Sequence, residues 1–188
     1  GSEMCIRDKY TAVDVQDERQ LAFYEHNGFK MDYTEDLVRL NDPDEVPQLF
    51  NCSCITLPLN TVQEQMDLVS RMRGAGFSYF DHGFLLQQMN RQNFAALGIL
   101  YGSNLVGACV AAGQYTSAEV MGLYIVPEFQ RKGLGTRLLQ QTKQALASTG
   151  VTDLTMRVMS DSEPQVRLVQ RFRAELVEHT SVFPSMQI

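Results

Sequence analysis

Apolar residues along the chain come in short runs broken by turn residues, and two spacings can be read in them. Thr11, Val13 and Val15 alternate with other side chains, the period-two pattern of a short strand over 10–16. A helix is expected next. Asp17 can cap it with Gln20 three residues on, Leu21, Ala22 and Tyr24 supply apolar positions, and Asn27-Gly28 gives a left-handed stop. Phe29, Met31 and Tyr33 then alternate with Lys30 and Asp32 as a second strand, and Leu37–Leu40 reads as a third. The acidic stretch Asn41–Pro47 holds two prolines and no period, which places a linker at 42–53.

Beyond the linker the pattern lengthens. Cys54–Leu57 can be a strand, and Thr61 with Glu64 forms a capping box ahead of a helix that puts Val62, Met66, Val69 and Met72 on one face. Gly74 and Gly76 end it. A helical piece spans about 84–91, and 96–101 with 105–112 reads as a β-hairpin around Gly102-Ser103-Asn104. Glu119–Val126 is a strand closed by Pro127. In a helix over 133–148, Leu134, Leu138, Gln141 and Ala145 fall in one row, with Leu139, Thr142 and Leu146 beside it. A strand at 151–159, a helix capped by Asp161 or Ser162 with Pro164 in its first turn, and a strand at 177–183 complete the chain. Strand-helix-strand therefore occurs twice, at 10–40 and at 151–183.

The 188 residues have room for one ordinary domain with an appendage. With 44% hydrophobic and 20% charged residues, a disordered, collagen-like or coiled-coil protein is excluded. Apolar runs are far too short for a bilayer span and no signal segment opens the chain, so a soluble cytoplasmic protein with no membrane partner is expected. The net charge of -6 is uneven: residues 1–54 hold 12 acids and 5 bases, residues 55–188 hold 10 acids and 11 bases. No Lys/Arg stripe of the kind nucleic acid requires is present, so nucleic acid is not expected as a partner. Cysteines at 5, 52, 54 and 109 lack the second pair or neighbouring histidine of a zinc site, so reduced thiols and no metal are expected. His26, His82 and His179 stand apart from one another and read as surface or packing residues.

Chemistry concentrates in Val126-Pro127-Glu128-Phe129-Gln130-Arg131-Lys132-Gly133-Leu134-Gly135-Thr136, where a strand ends and an amphipathic helix begins. The first turn of a helix offers N–H groups without partners and the positive end of the macrodipole, which together can hold a phosphate or diphosphate. Glycines at 133 and 135 let a ligand approach the backbone, and Arg131 and Lys132 add charge. No Gly-Lys-Ser/Thr follows and a third glycine is missing, so neither a Walker loop nor a dinucleotide fingerprint is present. Tight helix-strand packing is the alternative use of such glycines.

The stretch resembles the acetyl-CoA-binding motif of the GNAT superfamily of N-acetyltransferases, Gln/Arg-x-x-Gly-x-Gly/Ala after a strand, which Gln130-x-x-Gly133-x-Gly135 matches. The order of elements over 54–188 agrees as well. The resemblance implies an α/β (α+β) fold with a mixed, mostly antiparallel sheet flanked by helices. It also implies an acetyl-CoA-binding domain over 54–188 preceded by a partial second unit at 1–41. Amides around 131–136 would grip the CoA diphosphate, while the strand Leu123-Tyr124-Ile125-Val126 would splay from 151–159 to admit pantetheine. The Leu123 amide would bond the thioester carbonyl and stabilise an oxyanion. Acetyl-CoA and an amine are the expected partners, and a homodimer is one possible assembly.

An amine with a pKa near 10.4 is almost wholly protonated at pH 7, a handicap of about 4–5 kcal/mol, so a proton acceptor is useful. Glu119, eleven residues before Gln130, stands where the histone-acetylating branch of the family keeps its glutamate base; a solvent-facing strand residue is the other reading. Tyr124 and Tyr115 are nearby polar residues that read as packing groups. The family's proton donor to the thiolate, a tyrosine in Ala-x-x-x-Tyr-x-x-x-Gly-Phe, is replaced by Val169 in its expected helix. The match lies instead in Leu21–Phe29, with Tyr24 at the tyrosine position. Tyr24 is then either structural, in a remnant packed on the main domain, or docked at the thiolate within the chain or across a dimer. Three readings stay open at this point: amine acetylation, a catalytically silent acyl-CoA-binding module, and an α/β packing domain with no cofactor.

Overall fold

The computed structural model describes residues 29–186, with side chains from 34 to 179. The strand expected at 10–16 and the helix over 17–27 lie outside the described residues. Seven strands and four helices follow in the order β1 (Phe29–Arg39), β2 (Cys52–Thr56), α1 (Val62–Gly74), α2 (His82–Met89), β3 (Asn93–Tyr101), β4 (Asn104–Gly113), β5 (Ser117–Ile125), α3 (Leu134–Ala147), β6 (Asp153–Met159), α4 (Glu163–Arg171) and β7 (Glu175–Met186). The strand order is β2-β3-β4-β5-β6-β1-β7, with β5 and β6 parallel and the β2–β3, β3–β4, β4–β5 and β1–β7 pairs antiparallel. This is the mixed, mostly antiparallel sheet flanked by helices that the element order implied.

The chain divides into two compact units, one of residues 42–156 and one of 1–41 with 157–188. In the first, β4 is buried along nearly its whole length because both faces of the sheet are covered. Ala108 and Val110 join Leu68, Val69 and Met72 of α1, Phe80, Leu85 of α2 and Ala96 in one apolar cluster. Cys109, between them in sequence, points to the opposite face, where Thr142 of α3 acts on its thiol. Leu134, Leu138, Leu139, Thr142 and Leu146 form the buried side of α3. Burying each leucine contributes about 1.5–3 kcal/mol. Gln141 and Ala145, expected in the same row as Leu138, are exposed, because the buried stripe follows the neighbouring row.

The β4–β5 ladder carries one irregularity. Val110 pairs with Gly122 and Ala111 with Val120, so Met121 is an extra residue on β5. The parallel β5–β6 ladder covers only Ser117–Val120 against Asp153–Met156.

In the second unit β1 is one strand where two were expected. It runs antiparallel to β7 from Phe29↔Met186 to Arg39↔Glu175 through three register shifts, which absorb the break in alternation at Thr34–Asp36. Just after β6, Ser160 Oγ accepts from Thr34 N–H at 2.8 Å and Ser160 N–H donates to the Thr34 carbonyl at 2.9 Å, while Asn41 donates to the carbonyls of Phe172 and Arg173 after α4. Asp36 accepts from Thr34 and pairs with His179 at 2.5 Å across the β1–β7 ladder.

Candidate functional site

The segment between β5 and α3 is built from backbone conformations that few residues adopt. Val126 N–H closes β5 on the Val106 carbonyl at 2.8 Å, and Pro127–Phe129 form a single 3-10 turn. Arg131 then takes φ 63° and Gly133 φ 83°. The left-handed conformation is free for glycine and costs an arginine about 1–2 kcal/mol, so strain is stored at this turn. A Cβ on Gly133 would lie 2.7 Å from Pro47 Cγ, which places the middle of the 42–53 segment against the turn.

Helix α3 opens at Gly133 with no side-chain cap and no acidic residue in its first turn. Its first intrahelical bond runs from Arg137 N–H to the Gly133 carbonyl at 3.2 Å, so the Leu134 and Gly135 amides have no intrahelical acceptor. Arg131 and Lys132 are exposed beside this end. Lys132 Nζ stands 5.3 Å from the Phe129 ring, which packs 5.0 Å from Tyr101. Gln130, Arg131, Lys132, Gly133, Leu134, Gly135 and Thr136 are thus gathered in one turn with a local excess of positive charge.

Strand β5 continues the same set of donors. Because Val126 N–H faces β4, and the register is regular from Gly122 onward, the amides of Tyr124 and Gly122 also face β4. The amides of Leu123 and Ile125 point the other way. In a trans peptide each carbonyl opposes the following N–H, so the carbonyls of Met121, Leu123 and Ile125 also face away from β4. Two of these carbonyls are occupied: Gln130 Nε2 donates to Ile125 at 2.8 Å, and the Tyr79 hydroxyl donates to Met121. On that side Leu123 N–H, Leu123 C=O and Ile125 N–H have no partner among the described residues.

Glu119 is half-buried on β5, opposite Ala112 of β4 and Thr155 of β6. Leu123 lies four positions farther along the strand, roughly 13 Å away. Tyr124 presents its backbone to the strand pair while its ring packs on the α1–α2 cluster. Its hydroxyl is buried without a hydrogen bond of good geometry; burial raises its pKa, and the nearby Arg71 guanidinium opposes the rise. Tyr115 is a turn residue, 80% exposed at φ 58°, with its backbone held by Gln92 and Asn93. His82 ties α2 to α1 through Gln65 at 2.8 Å. Val169 is buried in the second unit at 6% exposure, and Tyr24 lies outside the described residues.

Pro47 and Tyr79 have no signal in the sequence, and Gln130 plays a part that the motif does not show. Pro47 lies in the segment that reads as a linker, and nothing in its neighbourhood points to Gly133. The Gln130 side chain secures the end of β5 instead of reaching out of the turn, and its five-residue spacing from Ile125 is the only trace in sequence. Tyr79 lies in an irregular loop whose contact with β5 spans 42 residues, so no local pattern announces it.

Residues 63–173 match the model of the acetyltransferase (GNAT) family, and the chain belongs to that family. Its fold is similar to that of a GCN5-related N-acetyltransferase from Sphaerobacter thermophilus, with a TM-score of 0.69 at 14% identity over 93% of this chain and 59% of that one. It is also similar to a GCN5-related N-acetyltransferase from Kribbella flavida, TM-score 0.60 at 17% identity over 95% of this chain and 68% of that one. A tandem GNAT protein from the clavulanic acid biosynthesis pathway aligns with a TM-score of 0.65 at 15% identity, over 94% of this chain and 62% of that one. The chain therefore spans about three-fifths of the length of the first of these. No match was found among curated proteins. No helix among the described residues is long and apolar enough to cross a membrane.

Proposed function

We propose that this chain is an N-acetyltransferase that moves acetyl from acetyl-CoA directly to a primary amine of a small molecule or a protein. The observation that carries the reading is a set of backbone groups without partners among the described residues, Leu123 N–H, Leu123 C=O and Ile125 N–H, followed in the chain by a start of α3 that no side chain caps. The Leu134 and Gly135 amides, with Arg131 and Lys132, receive the diphosphate. Ile125 N–H and Leu123 C=O match the amide groups of pantetheine, and Leu123 N–H polarises the thioester carbonyl. Glu119, through water, accepts the proton that the amine gives up as its nitrogen bonds the acyl carbon and the C–S bond breaks, the electron pair leaving with the sulfur as CoA thiolate, which takes its proton from solvent. Family membership supports acyl transfer, the acidic balance of the chain suits a cationic acceptor, and a reducing cytoplasm that supplies acetyl-CoA suits the free thiols.

Val169 favours a second reading, because a buried valine cannot protonate a thiolate. On that reading the chain is a silent acyl-CoA-binding module. Thioester loss followed across a panel of primary amines separates the two. Amine acetylation predicts turnover with at least one amine, reduced at least about 100-fold by Glu119→Gln with acetyl-CoA affinity kept. Thermal stabilisation by acetyl-CoA without turnover across the panel would establish the silent module instead.

A further inference from the structure

We infer that Cys52 and Cys54 form a reversible oxidation site, a dithiol that hydrogen peroxide closes to a disulfide within one chain. Both lie on β2, which stands at the edge of the sheet beside β3. Side chains two apart in a strand share a face, and the advance over two residues is roughly 6.6 Å. That falls inside the Cα separation a disulfide spans, about 4.4–6.8 Å, and close to its upper limit. Both thiols are half-buried, so the face they share is open to a small oxidant. Cys109 is excluded as a partner. Cys54 pairs with Ile99 and Ile99 with Gly107, so Cys109 lies two strands across and two residues along, roughly 12 Å from Cys54. It is also fully buried.

The surroundings suit thiol oxidation. Among the described residues no three histidines, cysteines or carboxylates stand together for a metal, so the pair has no ligand set to complete. Cys52 opens β2 directly after Asn51, which turns the chain at φ 61°, so the contraction that closure needs falls at the end of a ladder and not in its middle. Cys54 pairs with the fully buried Ile99, and Cys52 with Tyr101, which is 39% exposed, so Cys52 meets the oxidant first. Burial raises the Cys54 thiol, the Arg137 guanidinium beside it opposes the rise, and Cys52 adds to it. The Cys52 thiolate attacks a peroxide oxygen, the O–O bond breaks, and hydroxide leaves a sulfenic acid on Cys52. The Cys54 thiolate then attacks that sulfur; the S–O bond breaks, a second hydroxide departs, and the S–S bond forms. The hydroxides take up the protons the thiols gave, so two thiols and one hydrogen peroxide yield one disulfide and two waters. A bridge near its geometric limit on a sheet edge is strained and readily reduced, the property of sensing disulfides and not of structural ones.

The full chain, reduced and then treated with hydrogen peroxide, tests the site. Remaining thiols are blocked with iodoacetamide, and the mass of the tryptic peptide Leu40–Arg71, which holds both cysteines, is measured. The expected peptide is two hydrogens lighter than its reduced, unblocked form and carries no alkyl group, and millimolar glutathione restores both thiols. Cys52→Ser and Cys54→Ser form no bridge, and Cys54→Ser accumulates a sulfenic acid at Cys52 that dimedone traps. Two alkylated cysteines in the wild type, at a peroxide dose that oxidises free glutathione, would overturn the assignment. So would a bridge from either residue to Cys5 or to a second chain, or a bridge that glutathione leaves closed. The outcome does not depend on whether the chain acetylates an amine.

Discussion

Helices α1 and α3 lie in the same unit and begin in opposite ways. At α1, Thr61 Oγ1 accepts from Glu64 N–H at 3.1 Å and donates to the Glu64 carboxylate at 2.9 Å, so side chains close the helix start. At α3, glycine replaces the capping side chain, no acid enters the first turn, and the flanking residues are basic. Helix α2 has the Asp81 cap and α4 has Glu163 in its first turn, so among the four described helices only α3 lacks both devices. A helix start that serves stability satisfies its own amides. The start of α3 leaves the Leu134 and Gly135 amides without an intrahelical acceptor or a side-chain cap, together with a left-handed arginine, which is what the proposed diphosphate site requires.

Four variants sharpen or break this contrast. Gly135→Trp has the largest effect: an indole over the first turn of α3 abolishes acetyl-CoA binding in calorimetry while circular dichroism retains the folded spectrum. Retained binding in that variant would break the contrast outright.

Strand β4, on the face where Thr142 of α3 meets it, gives the next effect. Burial raises the Cys109 thiol to about 12, with Thr142 opposing the rise. The native state keeps a proton that the unfolded chain releases near pH 9, so stability present below that pH is lost as pH rises toward 12. The loss is about 1.4 kcal/mol per pH unit. Urea melts across this window show that slope in the wild type, and Cys109→Ala loses it.

Thr61→Ala removes the cap of α1 and costs about 1 kcal/mol in the same melts, with acetyl-CoA affinity unchanged. A drop in affinity there would mean that the two helix starts are not separate in function. Arg131→Gly relieves the left-handed arginine and raises stability by up to about 1 kcal/mol. It also removes a charge beside the open amides, which lowers acetyl-CoA affinity roughly two- to fivefold.

What could be read in advance was whatever depends on neighbours in sequence. Thr61 with Glu64, the turn at Gly102-Ser103 and Pro164 at the start of α4 each act within a few residues, and each stands where the pattern placed it. The join of β5 to α3 was legible for the same reason. The extra residue Met121, the contact of Pro47 with Gly133 and the bond from Tyr79 to Met121 depend on segments far apart in the chain, and periodicity carries no trace of them. β1 read as two strands because register shifts opposite β7 disturb its alternation without ending it.

The central claim is that the open amides of α3 receive the diphosphate of acetyl-CoA. A crystal structure of the protein grown with acetyl-CoA tests it most directly. The predicted result is a phosphate oxygen about 3 Å from the Leu134 and Gly135 amides, with the thioester carbonyl on Leu123 N–H. Density for the ligand at any other place on the molecule, with the first turn of α3 left bare, would contradict it.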